Sequence, residues 1–322
     1  MDLSYLKQFS NENIEKYVFK EETLPQLEQL LEEKYKELGK INSEHLSGKK
    51  TEFGKRVRQR NLQALMEEVK GRVDNFLEIE GLDTPRCRYF SLFKGDLNEE
   101  NRFKEFAYTA VAGAAQATTL VAFSIAKGFM DFPAGLDAGL DASFAAWGLY
   151  SLALLGFSGF NYQRINDKLP CGKYQYSDSQ ILLKRKTRVP LILSAAHEYS
   201  HYILHKRFLS SDLDEEDFNY FDEGFAERMG GHMAALYSSS EDNDDFRLLS
   251  CHYDVVASKQ VQNFISSILE LNQQEPDKQV ETLKSIKMPD QYEIGNTFFM
   301  LLEQKYGNSV YKDILNEKFN LE

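Results

Sequence analysis

The chain predicts a mainly α protein with a small β element, of the α+β class. It divides into a helical domain over 1–100, an apolar helical hairpin over 101–165 and a larger C-terminal domain over 166–322. Three observations lead there. Apolar residues recur every three or four positions through charged sequence, two runs near the middle carry no charge, and one short apolar run near residue 180 has the length of a strand. At 322 residues the chain is long enough to bury more than one modest core.

The first helices follow from capping and periodicity. Thr23-x-x-Gln26 with Pro25 early in the turn marks a helix start, and Leu27, Leu30, Leu31, Tyr35 and Leu38 make one apolar stripe. Val57, Leu62, Leu65, Met66, Val69, Val73, Phe76 and Leu77 make a second, so the expectation is a pair of antiparallel helices.

Residues 107–126 and 142–160 contain no charged side chain and are separated by a Gly/Pro/Asp-containing break over Lys127–Asp141. Each is long enough to cross a bilayer core, Trp147 offers an interfacial anchor, and Ala110, Ala114, Thr118, Ala122 and Ala126 form a smooth ridge for close helix packing. The first run is only moderately apolar and holds Gln116, so a buried hairpin of a soluble protein is the other reading. The expectation adopted is a transmembrane hairpin. Its flanks Arg102, Lys104, Arg164, Lys168 and Lys173 are more basic than the connecting loop, which places both termini and the C-terminal domain on the cytoplasmic side.

Pro170 and Gly172 mark a linker, and Gln180–Lys184 reads as a strand that could pair with an extended peptide or stand as a plain edge strand. Then comes His197-Glu198-Tyr199-Ser200-His201 within apolar sequence. Two histidines four apart on a helix project one turn above the other, so both imidazoles can reach one zinc ion while Glu198 stands beside it as general base. A catalytic zinc needs a third protein ligand. Glu223, 22 residues beyond His201 in Phe221-Asp222-Glu223-Gly224-Phe225-Ala226-Glu227, supplies it from a returning helix that is expected to end at Gly230 and Gly231. Glu227, one turn on, can accept the outer N–H of a ligating imidazole. His205, a further turn along the first helix, is expected in the outer sphere or lining the groove, and His232 and His252 read as surface or interhelical histidines or as oxyanion donors. Ser238–Asp245 reads as a solvated loop, and Val261–Leu271 and Ile294–Tyr306 as helices.

His-Glu-x-x-His followed by Asp-Glu-Gly-Phe-Ala-Glu resembles the gluzincin clan of metallopeptidases, which includes thermolysin and the aminopeptidase N type. The resemblance covers about residues 175–315 and implies a zincin-like catalytic domain, with His197, His201 and Glu223 as zinc ligands, Glu198 as base and Glu227 behind the ligands. Tyr292-Glu293-Ile294-Gly295 resembles the Tyr-x-x-Gly segment of the aminopeptidase N type, which implies that the Tyr292 hydroxyl stabilises the tetrahedral intermediate, although the family segment commonly has lysine where Ile294 stands. A metzincin is excluded, because Arg207 and Phe208 occupy the region of its third histidine. Gly-Ala-Met-Glu-Asn, the exopeptidase motif of that type, is absent, so an endopeptidase is expected.

The expected function is thus zinc-dependent hydrolysis of a polypeptide substrate at a membrane. A zinc-stabilised, non-catalytic binding or regulatory module is the alternative. A formal charge of -12 argues against a nucleic-acid partner. Cys87, Cys171 and Cys251 lack the spacing of a disulfide framework or thiolate metal site, which fits a reducing compartment, and the N-terminal residues lack the pattern of a secretory signal.

Overall fold

A computed structural model of the chain describes residues 3–45, 57–90, 111, 171–184, 186–208, 215–241, 245–273 and 286–321. The chain separates into two compact units, 1–89 with 171–322, and 90–170. The second lies almost wholly outside the described residues, as do the boundaries expected at 100 and 165.

Helices dominate the first unit. Among the described residues they are, in chain order, α1 (Leu3–Leu6), α2 (Asn11–Val18), α3 (Leu24–His45), α4 (Leu62–Leu77), α5 (Arg188–Arg207), α6 (Asn219–Glu241), α7 (Asp245–Asn272), α8 (Gln291–Tyr306) and α9 (Val310–Leu315). Three short strands, β1 (Arg86–Tyr89), β2 (Gly172–Gln175) and β3 (Gln180–Leu183), form a sheet in the order β1-β3-β2. The expected class, mainly α with a small β element, is what these elements make.

Several local expectations are corrected. The strand beginning at Gln180 is central: Ile181 pairs with Cys87 in the parallel direction and with Tyr174 in the antiparallel direction. Both of its edges are therefore filled, and it has no free backbone to offer a peptide. The two N-terminal stripes do not chiefly bury each other, because α3 lies along α7 and α4 along α5 and β1. Leu27, Leu30, Leu62, Met66, Val69 and Val73 all enter one core with the α5, α6 and α8 residues, while Leu31 is buried outside that cluster and Tyr35 is exposed.

Two further departures concern helix ends. Gly230 and Gly231 do not stop α6, and the stretch expected as a loop over Ser238–Asp245 is helical as far as Glu241 and again from Asp245. A Cβ at Gly231 would approach Ser250 Oγ to 3.1 Å, so the missing side chain lets α7 pack closely, and burial on neighbouring helices outweighs glycine's poor helix propensity.

The expected transmembrane helix is also corrected: among the described residues no helix is long and apolar enough to cross a membrane. The longest helices carry ionised groups within their spans, as in the Lys34–Asp254 pair between α3 and α7, and such groups are costly in hydrocarbon. The hairpin expected over 107–160 lies outside the described residues.

Candidate metal centre

α5 carries the paired histidines. Its start tolerates Pro190 because the first-turn amides have no intrahelical acceptor, and from Leu191 to Leu204 the helix is mostly buried. α6 returns against it. The two helices are zipped so that His197 faces Glu227 and His201 faces Asp222 and Glu223, the register an antiparallel pair gives to residues four apart.

Three ligand atoms converge. His197 Nε2 and His201 Nε2 lie 3.1 Å apart, and Glu223 Oε2 stands 3.3 Å from the first and 3.5 Å from the second. Zinc held at about 2.0 to 2.1 Å in a tetrahedral site separates its ligands by roughly 3.3 Å, so this triangle has the size of three tetrahedral vertices. Among the described residues these three side chains are the group that could hold a metal ion.

The outer ring nitrogens are engaged by acids. His197 Nδ1 lies 3.3 Å from Glu227 Oε2 and His201 Nδ1 lies 2.9 Å from Asp222 Oδ1. Both contacts favour a proton on Nδ1, which turns the Nε2 lone pairs of both rings toward Glu223. Sequence reasoning placed Glu227 there but gave Asp222 no role. The signal it lacked was which flank of α6 meets His201.

Charge accounts for the titration of the cluster. Burial disfavours an imidazolium at His197, but Glu223 and Glu227 outweigh it and raise the ring to about 10. Burial opposes His201 in the same way, and Asp222 and Glu223 lift it well above the ordinary histidine value. Burial pushes Glu223 up, yet both imidazoles together hold it well below the usual carboxylate range. The cluster thus favours added positive charge. Neutral imidazole lone pairs and a carboxylate at these separations repel each other unless a proton or a cation lies between them.

Glu198 is 6 % exposed and lies under β2. A Cβ at Gly172 would fall 2.5 Å from Glu198 Cγ, so a glycine is required where the strand crosses the acid. Burial raises the Glu198 carboxyl, the two histidines pull it back, Glu223 adds to the rise, and the backbone N–H of Tyr174 favours the charged form. Such an acid is shifted toward the range where it can both take and return a proton.

Tyr292 arrives from α8. An Asp290–Glu293 capping box sets the start of that helix, and Gly295 lets it touch α6 backbone to backbone: a Cβ there would sit 2.1 Å from Tyr220 O, and one at Gly224 2.3 Å from the Gly295 carbonyl carbon. The close crossing, beside Glu223, brings the Tyr292 ring to 6.4 Å from that of His197. Burial and the Glu223 carboxylate push its phenol up to about 12.

The remaining histidines stand apart from the ligand triangle. His205 Nδ1 is 2.9 Å from Tyr174 OH, with its ring edge-on to Tyr176. His232 stacks on Phe76 and reaches Glu303 Oε1 at 2.7 Å, an interhelical position. His252 is exposed beside Tyr253. Comparison with known proteins finds no matching family, no matching curated protein and no matching solved structure.

Proposed function

We propose that this chain is a zinc-dependent metallopeptidase of gluzincin type, acting as an endopeptidase on polypeptide substrates. The observation that carries this reading is the triangle of His197 Nε2, His201 Nε2 and Glu223 Oε2, with edges of 3.1, 3.3 and 3.5 Å, beside a buried glutamate. Zinc bound there would acidify a water and polarise the substrate carbonyl. His197, His201 and Glu223 would hold the ion, while Glu227 would orient the His197 ring. Glu198 takes the proton from the attacking water and delivers it to the leaving amine. The Tyr292 hydroxyl donates to the oxygen on which negative charge develops.

A second reading, a zinc-stabilised module without activity, draws on the cover that β2 places over Glu198. Zinc analysis of the purified full chain and a peptide-library assay with and without chelator separate the two. The enzyme reading expects about one bound zinc per chain and chelator-sensitive cleavage. Glu198→Gln then keeps the metal and loses about 10²- to 10⁴-fold in rate, and His201→Ala loses both. A wild type that binds zinc yet cleaves nothing supports the module. One that binds none ends both readings.

A further inference from the structure

We infer that Asp222 is a positioning residue for the metal, and that its carboxylate sets the orientation and donor strength of His201. The inference rests on the zinc reading above. Asp222 Oδ1 lies 2.9 Å from His201 Nδ1. Both atoms are buried, and neither makes a well-aligned hydrogen bond to any described group, so what joins them is the charge of the ion pair. The small cavity that Asp222 borders is otherwise mostly apolar, lined by Leu6, Leu204, Phe208, Phe218 and Phe221 together with Tyr176. A carboxylate in such a place is costly unless its charge is used, and among the described residues its ion-pair partner is the imidazole.

Helix geometry explains how adjacent residues take different tasks. Glu223 reaches the inner nitrogens of both rings, and Asp222, about 100° round α6, reaches the outer nitrogen of His201. Glu227, one turn further along, does for His197 what Asp222 does for His201. Each ring is thereby gripped at both nitrogens by carboxylates of a single helix. An anionic partner at Nδ1 locks the ring's tautomer and makes Nε2 a better donor, which binds a dication more tightly.

The test is zinc titration of the metal-free full chain against a competing chelator, comparing the wild type with Asp222→Asn, Asp222→Ala and Leu204→Ala. Asparagine keeps an acceptor and loses the charge, so zinc affinity falls about tenfold, and alanine removes both, so it falls about a hundredfold. Leu204→Ala loosens the same apolar wall without touching the carboxylate and leaves affinity within about twofold of wild type. Wild-type affinity in both Asp222 variants overturns the inference, as does a loss in Leu204→Ala equal to that in Asp222→Asn. Failure of the wild type itself to bind zinc refutes the metal reading instead.

Discussion

Helix α6 serves two buried ionic clusters from adjacent residues, Glu227 and Arg228, and they are opposite in kind. On one side Glu198, Asp222, Glu223 and Glu227 surround two imidazoles, and among the described residues no lysine or arginine pairs with any of these acids. On the other, Arg228 donates to both oxygens of Glu303 at 3.0 and 2.7 Å and to Asp254 at 2.7 Å. Lys34 reaches Asp254 at 2.8 Å, His232 reaches Glu303 at 2.7 Å, and Tyr311 donates to Glu303 as well. The second cluster supplies its own cations and ties α3, α6, α7, α8 and α9 together. Among the described residues the first has no lysine or arginine partner, and it brings together three donor atoms that could hold a metal ion. A neutralised network has the make-up of a structural joint, and an anionic one with a vertex-sized triangle is the arrangement on which the proposed metal site rests.

The largest effect that can break this contrast is at Arg228. Arg228→Leu leaves Asp254 and Glu303 buried without their main partner and lowers stability by about 3 to 5 kcal/mol in urea unfolding of the metal-free chain. Zinc affinity of the folded fraction stays near that of wild type, because Arg228 touches none of the ligands. An unchanged stability would mean that the second cluster is no joint.

A paired comparison of tyrosines sharpens the same point at smaller scale. Tyr311 is fully buried in the neutralised cluster, and Tyr292 is 44 % exposed beside the anionic one. Tyr311→Phe removes a hydrogen bond to a charged group and costs about 1.5 to 3 kcal/mol of stability while activity persists. Tyr292→Phe leaves the unfolding midpoint near wild type and lowers kcat about 10²-fold, with KM little changed. Equal behaviour of the two variants would erase the functional distinction between the clusters.

The anionic cluster was legible in the sequence because helical spacing is local information. His197 and His201 fix each other's direction, and Glu223 and Glu227 repeat the same interval on the returning helix. Asp222 was hidden, since its role depends on how α6 is rotated against α5. The neutralised cluster was hidden more deeply: Lys34, Arg228, Asp254 and Glu303 come from four helices, and each taken singly has the look of a solvated charge. β3 shows the same limit. Its apolar run identified a strand, but its central place depends on β1, some ninety residues earlier and joined to it through a stretch outside the described residues. The glycine pattern was likewise ambiguous, for Gly230 and Gly231 had the form of a helix stop, and Gly231 serves instead as a place for α7 to approach.

The smallest expected effect concerns pH. In the metal-free chain His197 titrates at about 10, above the ordinary histidine value near 6.5, because facing carboxylates stabilise its protonated form. A raised folded pKa contributes stability that is complete below about pH 6.5 and is lost as pH climbs through about 10. The metal-free chain should therefore weaken across that window. Zinc requires the same imidazoles neutral, so its affinity rises where the proton's hold declines, and at tenfold excess over its dissociation constant it adds about 1.4 kcal/mol. Urea midpoints measured with and without zinc between pH ~6 and ~9 should diverge as pH increases. Parallel curves would show that proton and metal do not compete for one place, and the anionic cluster would then be no more a binding site than its neighbour across α6.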